Sequence, residues 1–471
     1  MKHTRILVLI ALLGAAAVGL PTLRGATITV TTINDNGSGS LRQALTDAAN
    51  FDTIDFSSSL NGQTITLTSG ELVVDKHLTI NGPGNNRLTV DANQASRVFR
   101  ILPQRDVTIS GLTITNGSAP PANRVGGGIY NDHGALTLNN CTISSNVAVQ
   151  GGGGGIYNDG SGGSAMLTIT NCTINGNSAW PGGGIYNYLG TVTITNSTLS
   201  GNLDTGSNAG GAIINQGTLT ITGSTFSGNS STSGGAIYNA GFNLAAISTL
   251  AITNSTFSGN SASRGGGIYN DFAAMATMSN CTFSGNSAGG PDNVIYNGTG
   301  GAIFNAQALT MINCTVSGNS ATIHGGGVYN GINGSAVGLL KIGGTILNAG
   351  PSGENIYNDT SFYNATVTSL GYNLSSDDGG GYLTATGDRS NTNPRLGPLQ
   401  DNGGPTFTHL PAANSPAIDA GGPTLWTDQR GPGFVRIVND RPDIGALEVQ
   451  PMPTPTPTTT PTPTPHGHKG R

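Results

Sequence analysis

The chain of 471 residues carries 74 glycines, only 9% charged residues and a formal net charge of −5. With no grouped Lys or Arg, this composition excludes a phosphate-binding surface and hence nucleic acid as a partner. Gly and Pro together make up about a fifth of the chain, short of the level of disordered low-complexity proteins, and the Ser, Thr, Asn and Ile content suits short strands between tight corners.

Residues 1–26 read as a signal peptide. Lys2 and Arg5 form a basic start, Ile6–Leu20 is a continuous apolar run too short for a stable span, and Ala15-Ala16-Ala17 fits a cleavage site. The mature chain is therefore expected outside the cell, secreted or held at the cell surface, with no transmembrane span. Residues 27–106 are expected to form an N-terminal cap and the first coils. TITVTT alternates as a strand, and after the turn Asn36-Gly37-Ser38-Gly39 a short helix opens. Ser40 stands at its N-cap, Gln43 at the capping-box position, and Leu41, Ala44, Leu45 and Ala48 on one face. Such a helix would cover the open end of a stack of strands. The segment GSLRQAL, continuing through NGQTITLTSGELVVDKHLTINGPG, resembles the bacterial extracellular domain named for its CSLREA motif, with Gly39 in place of that motif's Cys.

From 107 to 358 the chain repeats one unit, seen at its clearest in Leu250–Asn270, LAITNSTFSGNSASRGGGIYN. An alternating segment, an Asn corner, a second segment ending in SGN, a glycine cluster and an IYN element follow one another. The last element recurs at Ile129-Tyr130, Ile156-Tyr157, Ile185-Tyr186, Ile213-Ile214, Ile237-Tyr238, Ile268-Tyr269, Ile303-Phe304 and Val328-Tyr329, each followed by Asn, and an additional copy stands at Ile295–Asn297. A period in the mid to high twenties predicts an all-β fold, a right-handed parallel β-helix with three faces per coil. Asn and Gly supply the corners, because both adopt left-handed backbone angles, and stacked Asn side chains would bond in a ladder. The N-C-T and N-S-T triplets at Asn140, Asn171, Asn196, Asn254, Asn280 and Asn313 match the glycosylation pattern but read as corners.

Cys141, Cys172, Cys281 and Cys314 share a repeat slot with Ser197, Ser224 and Ser255. A slot that alternates between Cys and Ser calls for a small interior residue. Stacked strands lie about 4.8 Å apart, wider than disulfide Cβ atoms prefer, so free thiols and no disulfide are expected. The repeats also resemble the passenger repeats of chlamydial polymorphic outer-membrane proteins, with GGAI at Gly210–Ile213, Gly234–Ile237 and Gly300–Ile303 and FxxN at Phe226–Asn229, Phe257–Asn260 and Phe283–Asn286. That resemblance implies an adhesin-like role.

Residues 359–449 break the repeat and regain charge. Their run LGYNLSSDDGGGY, SPAIDAG, TDQRG and RPDIGALE is similar to the C-terminal domain of choice-of-anchor type bacterial surface proteins, which implies a C-terminal β cap. Residues 450–471 form a Pro/Thr-rich tail, extended and disordered.

The repeats are chemically sparse. Residues 107–350 hold five acids (Asp132, Asp159, Asp204, Asp271, Asp292) and three bases (Arg124, Arg264, Lys341), whereas glycoside hydrolysis needs a carboxylate pair and a lyase of the pectate-lyase-like β-helix group needs acidic Ca²⁺ ligands with a basic residue. No catalytic residue is assigned; a polysaccharide lyase or hydrolase is the alternative to a non-catalytic, monomeric adhesin-like or structural protein that contacts polysaccharide or a host or cell surface. Asp132 and Asp159 follow IYN in adjacent coils and could together present carboxylates to Ca²⁺, or each could close an Asx-type turn at its corner. Asp377-Asp378 with Asp388 form a second, weaker acidic group. Since neighbours on a strand point to opposite faces, a buried Ile row places Tyr130, Tyr157, Tyr186, Tyr238, Tyr269 and Tyr329 outward, as an aromatic ladder able to stack on sugar rings or to stiffen the solenoid.

Overall fold

The computed structural model describes residues 25–206, 209–241, 246–290, 297–333, 336–361, 364–422 and 427–450. Residues 1–24 of the segment expected to be a signal peptide (1–26), residues 451–471 of the expected Pro/Thr-rich tail (450–471), and Ile295 and Tyr296 of the additional IYN copy lie outside the described residues.

Each repeat folds into one coil, and Leu250–Asn270 shows how. Strand Ser248–Thr253 turns Leu250 and Ile252 inward and Thr249, Ala251 and Thr253 outward. Asn254 then takes φ 53° and bends the chain, and the other N-C-T and N-S-T asparagines sit at φ between 48° and 53°, the left-handed region that Asn tolerates among L-residues. They are corner residues. Thr256–Ser258 carries Phe257 into the core, and Ile268–Asn270 closes the coil with both its Ile and its Asn fully buried. The GG pair before it does two jobs. Gly265 supplies φ 62°, while a Cβ on Gly266 would stand 2.3 Å from the carbonyl oxygen of Gly301 in the next coil, so only Gly permits the close approach.

The coils stack in register into three parallel sheets of 13, 12 and 11 strands, formed by the LTIT-type, TFS-type and IYN-type strands respectively. Leu219 pairs with Leu250, Phe226 with Phe257, and Ile237 with Ile268. The result is a right-handed parallel β-helix. Its core is a set of like-on-like columns: the Ile row from Ile129 to Ile303 is completely buried, worth about 1.5–3 kcal/mol per side chain, and Phe226, Phe257 and Phe283 stack with centroids 4.7 and 5.0 Å apart.

Polar columns run through the same interior. In the IYN row each Asn amide donates to the Oδ1 of the next, as Asn187 to Asn215 and Asn215 to Asn239, both at 2.8 Å. The SGN asparagines form a second ladder, with Asn202 donating to Asn229 at 3.0 Å and Asn229 to Asn260 at 2.9 Å. The Cys/Ser slot is a third. From Cys141 to Ser255 the backbone N–H of one member donates to the side chain of the next: Cys141 to Cys172 Sγ, Cys172 to Ser197 Oγ, Ser197 to Ser224 Oγ and Ser224 to Ser255 Oγ, at 3.0–3.3 Å. The slot thus requires a small side chain that also accepts a hydrogen bond, which both Cys and Ser do. All four cysteines are buried free thiols.

The ends are closed differently. Helix Leu41–Asp47 lies against strands Thr27–Val30 and Leu72–Val74, each the first strand of its sheet, with Leu41, Ala44 and Leu45 buried. Ser40 Oγ accepts from the Gln43 N–H at 3.1 Å. The reciprocal half of the capping box does not form, because Gln43 Nε2 turns to Asp47 Oδ1 at 2.7 Å. At the other end the coils continue beyond residue 358, with Thr366–Gly371 and Leu374–Ser375 pairing onto the preceding coil. Here acids replace the missing next coil: Asp377 accepts from the Asn355 N–H at 2.8 Å and Asp388 from the Asn373 N–H at 2.8 Å. Asp377 and Asp388 thus terminate the ladders.

Residues beyond this last coil do not continue the axis. They turn back along the outer side of the second sheet, where Thr256 Oγ1 donates to Phe407 O at 2.6 Å, Thr282 Oγ1 to Gln429 Oε1 at 2.6 Å, and the Ala446 N–H to Thr315 Oγ1 at 3.0 Å. Thr256, Thr282 and Thr315 are buried under this segment, whereas Thr142, Thr173, Thr198 and Thr225 at the same slot in earlier coils stay partly exposed.

Candidate functional site

Three surfaces bear on function: the aromatic row, the acids beside it, and the outward face of the first sheet. The aromatic row exists in the expected register, Tyr130 with Tyr157, Tyr157 with Tyr186, and Tyr238 with Tyr269. The outward-facing ladder does not. Tyr130, Tyr157, Tyr269 and Tyr329 are buried, and only Tyr186 and Tyr238 are partly exposed. The cause is twofold. Each ring packs on the next, with centroids 5.9 Å (Tyr130–Tyr157), 5.0 Å (Tyr157–Tyr186) and 5.4 Å (Tyr238–Tyr269) apart. Small residues of the corners close over them, as Gly331 does over Tyr329 and Gly152 over Tyr186, and Phe272, Ala306 and Ala336 join the lower rings in one apolar cluster.

The phenol groups also have partners that the sequence pattern conceals. Tyr130 OH donates to Asp159 Oδ2 at 2.9 Å, Tyr238 OH to Asp271 Oδ2 at 2.6 Å, and Tyr329 OH to Asp359 Oδ2 at 2.6 Å, each one coil on. Burial and the neighbouring carboxylates push the Tyr130 and Tyr238 phenols well above their usual range, and burial beside Tyr188 pushes Tyr186 up to about 12. These tyrosines stay protonated donors across ordinary pH. The acid after IYN is thus a latch for the previous coil's Tyr, a spacing of one period that pairwise motif reading overlooks.

Asp132 and Asp159 are side by side in register, as expected, but with company. Asp132 Oδ2 accepts from Arg100 Nη2 at 2.7 Å and Asp132 Oδ1 meets His133 Nδ1 at 2.7 Å. Asp159 Oδ1 accepts from the Ser161 N–H at 3.0 Å and from Ser161 Oγ at 2.6 Å, the Asx-type turn. His133 Nε2 contacts the Ser161 carbonyl and lies 3.9 Å from Asp159 Oδ1. Burial opposes the charge on Asp132, yet its bonds from Arg100 and His133 hold the carboxyl below the ordinary range; burial likewise opposes the His133 charge, but Asp132 and the Ser161 carbonyl raise its pKa. The donor set of two carboxylates and an imidazole lies close enough together to hold a metal, with the Arg100 cation already paired to Asp132. Arg100 and His133 escaped the sequence reading because neither belongs to the repeated motif.

The outward face of the first sheet is a regular surface built by the repeats. Between strands Ala135–Asn139 and Ala308–Ile312 its outward positions carry no charge. One column reads Thr137, Thr168, Thr193, Thr220, Ala251, Thr277, Thr310; beside it run Thr170, Thr195, Thr222, Thr253, and Thr191, Thr218, Thr249. These positions are exposed or partly exposed. Their spacing is about 4.8 Å along the axis and roughly 6.6 Å across it. The signal was present in TVTIT and TLTIT, whose alternate Thr residues must share a face.

A sequence-family model described as a right-handed β-helix region matches residues 127–339. No curated protein matches the sequence. Among solved structures, the chain is similar to pectate lyase Pel9A, with 16% identity, a TM-score of 0.48, and coverage of 90% of this chain and 97% of the other. It is also similar to a mannuronic acid specific polysaccharide family 6 lyase from human gut microbiota (10% identity, TM-score 0.43, 74% and 80% covered). A third is the catalytic unit of a GH87 alpha-1,3-glucanase from Streptomyces thermodiastaticus strain HF3-3 (15%, 0.43, 76% and 70%). No activity follows from likeness at this level. Among the described residues no helix is long and apolar enough to cross a membrane.

Proposed function

We propose that this is a non-catalytic β-helix protein of the cell exterior that contacts uncharged polysaccharide through the threonine-rich face of its first sheet. One observation carries the reading: that face is uncharged over seven successive strands and rich in threonines, each of which offers a hydroxyl beside a methyl group. Such a surface can exchange hydrogen bonds with sugar hydroxyls while its methyls cover apolar ring faces, and it costs no desolvation of charge. The aromatic row serves as internal packing and leaves recognition to the threonines. The resemblances to the CSLREA domain, to choice-of-anchor proteins and to chlamydial passenger repeats support an adhesin-like setting, and the apolar leader supports export. A screen of the purified chain against immobilised neutral and acidic polysaccharides tests this, with retention expected on neutral polymers and no release of shortened products. Retention on acidic polymers alone would contradict it.

A second reading, a polysaccharide lyase or hydrolase, is favoured by the group Arg100, Asp132, His133 and Asp159. Turnover of an acidic polysaccharide that is lost in His133→Ala would establish it in place of the first.

A further inference from the structure

The segment that folds back along the second sheet carries its own concentration of charge. Asp428 and Arg430 satisfy one another, with Arg430 Nη2 on Asp428 Oδ2 at 2.5 Å. That leaves Asp419, Asp443 and Glu448, of which a carboxylate oxygen each lies within 4.8 Å of the other two. The cation packed beside them is Arg436, fully buried, whose Nη2 is directed at the backbone carbonyls of Gly445 and Asp443. Three carboxylates face one guanidinium; Asp443 and Glu448 are buried and Asp419 is partly exposed, and the Asp443 oxygens accept from the Asp419 and Val449 N–H groups at 2.8 and 2.7 Å. Glu448 is 0% exposed; its Oε2 accepts from the Asp443 N–H at 2.7 Å, and its Oε1 has no hydrogen-bond partner. A buried carboxylate oxygen with no donor is costly.

We infer that Asp419, Asp443 and Glu448 form a binding site for one Ca²⁺-like divalent cation. The donors are all hard oxygens, the preference of Ca²⁺, and their mutual separations fit within about twice the Ca–O distance of 2.3–2.6 Å. A doubly charged ion matches the surplus charge and gives Glu448 Oε1 its partner. The ion joins the turn at Asp419 to the 443–448 stretch, whose Ala446 docks on Thr315 of the solenoid; it acts as a clasp that fastens the returning segment to the flank.

The full chain, stripped with chelator, should take up one Ca²⁺ in calorimetric titration. The ion should raise its melting temperature. Glu448→Gln and Asp443→Asn should abolish the uptake, while Asp132→Asn should retain it. Should those variants fail to fold, hydrogen exchange on the unaltered chain decides: Ca²⁺ should slow exchange of the amides at 443–449. Absence of uptake by the unaltered chain, uptake lost only in Asp132→Asn, or no change in exchange at 443–449 would overturn the site and leave Arg436 as the sole counter-charge.

Discussion

At the scale of the residue, the interior asparagines hold more structure than their polarity would imply. Asn215 accepts from Asn187 and donates to Asn239, to the Gly217 carbonyl at 3.2 Å and to the Thr249 carbonyl at 3.0 Å. Asn215→Ala leaves the buried Asn187 amide and Asn239 Oδ1 without those bonds, and should cost roughly 2–4 kcal/mol, read as a lowered midpoint in denaturant. An unchanged midpoint would mean the ladder is not a source of stability. The phenol latches make a subtler case. Tyr329→Phe removes the 2.6 Å bond to Asp359 but keeps the ring stacked 4.7 Å from Phe304, so it should cost about 1.5–3 kcal/mol. Tyr329→Ala loses the ring too and should cost about 3–5 kcal/mol. Neither should weaken polysaccharide retention once the variant is folded, because the ring is buried; reduced retention by folded Tyr329→Phe would restore the row as a binding surface.

The element that sets the fold is the single coil, and its tightest constraint lies in the glycine pair. A methyl at Gly266 would sit 2.3 Å from the Gly301 carbonyl and 2.4 Å from that of Ser287, both backbone atoms that cannot swing aside. Gly266→Ala should therefore cost about 1–3 kcal/mol, seen as a lower melting temperature in calorimetry, whereas the third position of the same cluster already holds Ala212, Ala236 and Ala302 in other coils. Most of the coil was legible in the chain, because a repeated unit prints its strand period and corner residues many times over: Asn254, Gly265 and Ile268 each announce their conformation. The orientation of Tyr269 was not. Strand alternation correctly turns it away from Ile268, but the solenoid has a second layer on that side, made by corner segments whose path no local pattern encodes. The same holds for Arg100, brought to Asp132 by stacking one coil on another, and for the contact of His133 with Ser161 in the next coil.

On the scale of the whole molecule, the described coils form a column whose second sheet is covered by the returning segment and whose first sheet is open. The covering of the second sheet by the returning segment was illegible, since Gln429 and Thr282 lie far apart in sequence and meet only because the chain reverses after its last coil. Covering that flank leaves the uncharged threonine face of the first sheet as the regular surface available to a polymer, and stacking makes its outward Thr columns continuous. A charge placed there meets no buried partner, so Thr168→Lys with Thr220→Lys, two strands apart in the column, should change stability by no more than about 0.5 kcal/mol per site while breaking the neutral array. Comparing retention of the unaltered chain and this double variant on the neutral polysaccharide that binds best is the most direct test. The account predicts at least a tenfold loss of affinity with an unchanged melting temperature; equal affinity in the two proteins would contradict it.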